Sequence, residues 1–141
     1  MLETRELEIS DARQLMSALF GGTYEPHLDQ ETIDGVLAQP NYELFTVQTG
    51  GRTVAMTSLY TVRLLSRHLA VIEEVVTLEP YRNQGLGSGL VRHAIASAQS
   101  KGVHCIELTT REDRPNVFGF YESLGFRDRR QRAMRLCVPA K

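Results

Sequence analysis

Apolar residues recur along this chain at two spacings, and the switches between them mark its elements. Arg5 to Ile9 alternates, with Leu7 and Ile9 on one face, and predicts a short strand. Ser10 or Asp11 then offers a cap for a helix whose apolar positions are Ala12, Leu15, Met16, Leu19 and Phe20, a three-and-four spacing that makes one stripe. Gly21-Gly22 stops it, and Thr23 to Leu28 reads as loop. Asp29 is placed to cap a second helix carrying Ile33, Val36 and Leu37, closed from beyond by Pro40. Tyr42 to Thr49 and Arg52 to Val62 predict two strands joined at Gly50-Gly51, a pair suited to the positive φ of a tight hairpin. A second connection falls near Ser66-Arg67-His68.

The stretch that organises the chain runs from Ile72 to Leu90, IEEVVTLEPYRNQGLGSGL. Val75, Val76, Thr77 and Leu78 suit a buried strand, and Pro80, which has no amide for a ladder, ends it. A helix follows, with Leu86, Leu90, Val91, Ala94, Ile95 and Ala98 on one face, and Lys101-Gly102 at its C-terminus. Val103 to Thr109 predicts a strand, parallel to the central one because a helix crosses between them. Asp113 and Pro115 open a last helix with Val117, Phe120, Tyr121 and Leu124 on its stripe, ended by Gly125. From Phe126 a final strand is expected, reaching Met134, Leu136 and Val138. The order is β-α-α-β-β-β-α-β-α-β. It predicts a mixed α/β fold, with a mostly antiparallel sheet and helices on both faces.

Composition narrows the classes. The 141 residues suit a single domain, 1–141, and 42% hydrophobic content is enough for one core. A net charge of −1 gives no basic surface for nucleic acid. No apolar run approaches ~18 residues, so no membrane span is expected, and MLETRELEIS lacks the apolar core of a signal peptide. Cys105 and Cys137 have no metal-ligand spacing, and a reduced, cytoplasmic setting is expected. His27, His68, His93 and His104 likewise have no partners at metal spacing, so no metal is expected. His27 lies in a loop, where a solvated role is the plain alternative to acceptor contact.

The chemistry concentrates at Arg82-Asn83-Gln84-Gly85-Leu86-Gly87-Ser88. A strand, a glycine-bearing turn and a helix start form an anion site, because the first helical amides are unpaired and the helix dipole adds positive charge there. There is no Gly-Lys-Ser/Thr triplet of a P-loop. The third glycine of a dinucleotide fingerprint is replaced by Leu90. What remains, Arg82-x-x-Gly85-x-Gly87, resembles the pyrophosphate loop of the GNAT N-acetyltransferase superfamily. A second block, Asn116 to Phe126 (NVFGFYESLGF), is similar to that family's Asn, Phe-Tyr and Gly-Phe segment, and the element order agrees with its fold. IEEVV with YRNQGLG is most similar to the branch that acetylates phosphorylated amino sugars.

The resemblance implies an acetyl-CoA-dependent N-acetyltransferase acting by direct attack of a primary amine. The amides of Gln84, Gly85, Leu86, Gly87, Ser88 and Gly89 would face the diphosphate. Val76, Thr77 and Leu78 would pair with the pantetheine arm, and Asn116 would bond near it. Arg82 would assist the phosphates or lie solvated at the surface. Tyr121 is implied as the acid at the departing thiolate; its other reading is a core tyrosine. Glu73 and Glu74 are the candidate bases, the alternative being two solvated glutamates. Adjacent strand residues point to opposite faces, so one at most enters a cleft unless a bulge intervenes. The run Arg127-Asp128-Arg129-Arg130-Gln131-Arg132 with Arg135 reads as a charged edge strand, or as a site for an anionic acceptor or the CoA nucleotide.

The acceptor is left open between an amino sugar, an amino acid or polyamine, and a protein amine. Succinyl or propionyl transfer is also open. Relatives that pair through their final strands make a homodimer one expected partner arrangement. A CoA-binding sensor or regulatory protein without useful turnover is the second class.

Overall fold

The computed structural model describes residues 2–21, 28–111 and 115–139. His27 and Asp113 lie outside them, as does most of the loop after Gly21. Two compact units are present, Met1–Leu108 and Thr109–Lys141.

The first unit holds a five-stranded sheet in chain order. Its elements are β1 (Leu2–Thr4), α1 (Ile9–Leu19), α2 (Gln30–Leu37), β2 (Tyr42–Thr49), β3 (Arg52–Arg63), β4 (His68–Thr77), α3 (Leu86–Ser100) and β5 (Cys105–Glu107), with a 3-10 turn at Glu79–Tyr81. The first four strands are antiparallel neighbours, and β4 pairs with β5 in parallel. The mixed, mostly antiparallel sheet therefore stands.

Local chemistry explains most boundaries. Asp29 caps α2 by accepting the Thr32 amide at 2.8 Å. Gly50 and Gly51 take φ of 60° and 76°, the left-handed pair a two-residue hairpin needs. The parallel pair is stitched at its start: the His68 amide donates to His104 Nδ1 at 3.1 Å, and the His104 amide donates to the His68 carbonyl at 2.8 Å.

One face of the sheet packs on α1 and α2 through Ala12, Leu15, Met16, Ile33, Leu37, Leu44, Val54, Met56, Val76 and Leu78. The other carries α3, with Leu90, Val91, Ala94 and Ala98 buried. There Phe45 meets the His93 ring edge-on at 4.8 Å, and Glu43 accepts from Ser97 and pairs with Lys101.

Three expectations are corrected. Arg5 to Ile9 is not a strand: β1 lies earlier, at Leu2–Thr4, and Ile9 begins α1. Leu7 and Ile9 still pack against the core, so their alternation reports burial without pairing. Neither Ser10 nor Asp11 caps α1, whose N-cap is Glu8; Asp11 instead accepts from the Thr53 amide at 3.3 Å. In the second unit, α4 (Pro115–Ser123) ends at Gly125, φ 101°. Among the described residues no strand follows it. Asp128 Oδ1 accepts the Arg130 amide at 2.8 Å and Arg130 turns to φ 54°, a local turn that competes with extended backbone. Met134, Leu136 and Val138 are 93%, 90% and 85% exposed.

Candidate active site

The site begins where β4 outruns its neighbour. Parallel pairing with β5 stops at Val71–Glu107, while β4 continues to Thr77. Beyond Val71, the β5 side of β4 has no strand partner among the described residues of this unit. On the other side Leu78 donates its amide to the Val54 carbonyl at 2.9 Å. Backbone groups alternate sides along an extended strand, so Thr77 and Val75 present theirs to the open edge. Arg82 Nε donates to the Thr77 carbonyl there at 2.9 Å, which ties the guanidinium to the end of β4.

Asn83, at φ 64°, and Gly85, at φ 79°, then turn the chain into α3. Gly85 is the N-cap, and no side chain caps the helix. The first helical bond runs from the Gly89 amide to the Gly85 carbonyl at 3.0 Å. The amides of Leu86, Gly87 and Ser88 precede it and have no carbonyl one helical turn earlier. A concavity of about 350 Å³ opens over them, lined by Val75, Val76, Thr77, Tyr81, Arg82, Asn83, Gly85, Leu86, Gly87 and Ser88. Among the described residues, a Cβ added at Gly87 would meet only Thr77 Oγ1, at 3.8 Å, so they leave that approach clear. An uncapped helix start with a clear backbone approach fits a diphosphate.

Val76, Thr77, Arg82, Gly85, Leu86, Gly87 and Ser88 of the expected cofactor residues line the concavity, but the Val76 backbone, two residues before Leu78, turns to β3, and Gly89, Leu78 and Gln84 depart from expectation. The Gly89 amide is spent inside the helix, and Leu78 turns its amide to β3 and its side chain into the core. Gln84 is exposed in the turn and does not line the concavity. Val75, Tyr81 and Asn83 join the lining without having been expected as cofactor residues. Strand alternation from Thr77 was the signal available for Val75.

Upstream on β4, Ser58 pairs with Glu73 and Met56 with Val76, so Thr57 faces two residues, Glu74 and Val75. Glu74 sits at φ 54°, and this is a β-bulge. It changes the expected arrangement of the two glutamates. Glu73 shares the face of its partner Ser58, and the Glu74 carboxylate also reaches Ser58, accepting from its hydroxyl at 2.9 Å. Both acids therefore lie on the same face. Tyr42 stands there too, its hydroxyl 2.5 Å from Ser58 Oγ. Burial, and secondarily the Glu74 charge, push the Tyr42 phenol up to about 12 against the pull of the Ser58 bond. Tyr60 on the same face is raised by burial and then by the charges of Glu73 and Glu107.

In the second unit Asn116 is exposed on α4. Tyr121 is buried, with ring centroids 5.2 Å from Phe120 and 5.9 Å from Phe126. Burial raises its phenol pKa. Arg127 to Arg132 and Arg135 are exposed. Among the described residues no group of three or more His, Cys, Asp or Glu is arranged to hold a metal ion, and no helix is long and apolar enough to cross a membrane.

Comparison with known proteins places these features in context. The sequence profile described as the Acetyltransferase (GNAT) family matches residues 9–126. Glucosamine 6-phosphate N-acetyltransferase of Trypanosoma brucei brucei is 32% identical over 147 residues, covering 96% of this chain and 95% of that protein. Aminoalkylphosphonate N-acetyltransferase of Salmonella typhimurium strain LT2 is 31% identical over 93 residues, covering 64% and 60%. The crystal structure of a transcriptional regulator from Bacillus halodurans C-125 superposes with a TM-score of 0.78 at 30% identity, covering 97% and 100%.

Proposed function

The chain belongs to the GNAT acetyltransferase family and is an N-acetyltransferase, and from that premise we propose that it acetylates the primary amine of a small acceptor bearing a phosphate or phosphonate group, with acetyl-CoA as co-substrate. The observation that carries the reading is the junction of an unpaired strand edge with an uncapped glycine helix start. Leu86, Gly87 and Ser88 amides hold the diphosphate, and Arg82 lies beside it. Val75 and Thr77 backbone groups pair with the pantetheine arm. The bulge lies about 10 Å back along β4, three residues at ~3.3 Å each.

Bound acetyl-CoA supplies the activated acyl carbon. The protein does the rest. A carboxylate at the bulge takes the proton of the acceptor ammonium, because an ammonium has no lone pair with which to attack. Holding amine and thioester at near-attack distance removes much of the entropic barrier. Attack by the amine forms the C–N bond and the C–S bond breaks; Tyr121 gives its phenol proton to the departing sulfur and is restored by the surplus proton that the nitrogen sheds as it becomes an amide.

The acceptor class rests on what the two named N-acetyltransferases share, an amine together with a phosphorus oxyanion. The test is free-thiol release from acetyl-CoA over glucosamine 6-phosphate, 2-aminoethylphosphonate, glucosamine, spermidine and a lysine peptide, beside a direct CoA-binding measurement. Release with the first two and not with glucosamine is expected. Release with spermidine or the peptide alone overturns the acceptor class. The Bacillus halodurans regulator, at 30% identity, favours a second reading, a CoA-binding regulatory protein. CoA binding without thiol release on any acceptor would select it.

A further inference from the structure

Resting on that acetyltransferase reading, we propose that Tyr42 and Ser58 are positioning residues that hold the Glu74 carboxylate as the base through a directed hydrogen-bond chain. Direction follows from counting protons. Ser58 has one hydroxyl proton and donates it to Glu74 Oε1 at 2.9 Å. The contact between Tyr42 and Ser58 then requires the phenol to donate to Ser58 Oγ. The chain runs Tyr42 O–H to Ser58 O–H to Glu74 carboxylate, and it ends on an acceptor. Tyr42 is suited to its outer place, because its high pKa keeps the phenol protonated.

The chain also separates the two glutamates that the sequence left equivalent. Glu74 has one carboxylate oxygen held by the hydroxyl of Ser58, a residue that is 1% exposed. Its second oxygen remains for the acceptor proton. The bulge aims this group: Glu74 takes a left-handed conformation uncommon for glutamate, and it does so where its side chain meets Ser58. The neighbouring charged and titratable groups on this face are Tyr60 of β3, Glu73 of β4 and Glu107 of β5, the last lying 3.3 Å from Arg67 Nε. The α1 and α2 residues in the core against this face are Ala12, Leu15, Met16, Ile33 and Leu37, all uncharged, and Asp11 of α1 is engaged by the Thr53 amide. Among the described residues, the Ser58 hydroxyl is therefore the neutral donor that orients this carboxylate.

The test is a double-mutant cycle in the full chain, read as kcat and KM for acetyl-CoA with the acceptor that wild type uses. Glu74→Gln is expected to lower kcat about a hundredfold, the scale of a general base. Ser58→Ala should lower kcat about tenfold, and Tyr42→Phe less, with KM for acetyl-CoA unchanged. In the Glu74→Gln background, Ser58→Ala should change kcat less than about twofold, because the group it positions is gone. Ser58→Thr, which keeps the hydroxyl, should restore most of the rate. Losses that multiply in the double variant, a loss confined to KM, or full kcat in Ser58→Ala overturns the proposal. If Ser58→Ala does not fold, Tyr42→Phe carries the same cycle, since it removes one oxygen. A wild type that transfers no acetyl group overturns the functional reading and this proposal with it. An active wild type with independent Ser58 and Glu74 effects overturns this proposal alone.

Discussion

Gly87 separates what the fold needs from what the ligand needs. Its position is helical, and an added Cβ would find only Thr77 Oγ1 at 3.8 Å, an ordinary contact. Gly87→Ala therefore stabilises the protein, by up to about 1 kcal/mol from backbone entropy alone. For a chain of this size that raises Tm by about 2–4 °C. In the proposed site the same methyl group would stand in the concavity beside the amides of Leu86, Gly87 and Ser88, where a diphosphate oxygen would come. Losing one amide bond to a charged oxygen costs about 1.5–3 kcal/mol. Acetyl-CoA should then bind about ten- to a hundredfold more weakly, by calorimetry, in a protein that melts later than wild type. Gly35→Ala is the matched control, since Gly35 lies within α2 and its Cβ would meet nothing within 4 Å. It should raise Tm and leave binding alone. A Gly87→Ala protein that is as stable as expected and binds acetyl-CoA within twofold of wild type would refute the cradle.

Three further outcomes follow from the same geometry. Tyr121→Phe should lower kcat by about ten- to a hundredfold with acetyl-CoA affinity unchanged; full turnover removes the proposed acid. Tyr42, with a pKa of about 12 in the fold against 10.0 for the free side chain, contributes stability that is complete below pH 10 and is lost as pH rises towards 12. At 1.36 kcal/mol per unit this is about 2–3 kcal/mol, so urea unfolding of Tyr42→Phe should lose less stability than wild type between pH 10 and 12. Glu43→Gln disrupts the bonds to Ser97 and Lys101 that tie α3 to β2, and should cost about 1–2 kcal/mol in urea while kcat/KM stays at the wild-type value.

Contiguous signals were legible in the sequence. Tyr42–Thr49 and the Gly50-Gly51 turn have the boundaries that alternation and glycine pairing predict, and Asp29 caps as its position predicts. The junction of strand, turn and helix start was legible for the same reason, because it lies within one short run. What needed register was hidden. Tyr42 and Ser58 lie 16 residues apart, as do Ser58 and Glu74. Counting from the hairpin fails because the β2–β3 register shifts at Val47/Gln48 and the β3–β4 register shifts again at Met56/Ser58. Glutamate at positive φ carries no compositional mark, so the bulge that brings Glu73 and Glu74 to one face was left only as an alternative. The final strand failed differently. Met134, Leu136 and Val138 alternate as a strand would, but alternation states only that a segment could pair. A local turn at Asp128 and Arg130 precedes it, and the residues stay exposed.

The claim on which the rest depends is that acetyl-CoA lies across the start of α3 with its arm along the open edge of β4. A crystal structure of the protein with CoA tests it directly. The expected result has diphosphate oxygens at hydrogen-bond distance, about 2.7–3.2 Å, from the Leu86, Gly87 and Ser88 amides, and the arm bonded to the backbone of Val75 and Thr77. CoA seated elsewhere, or those amides capped by the protein's own groups with CoA in excess, contradicts the account.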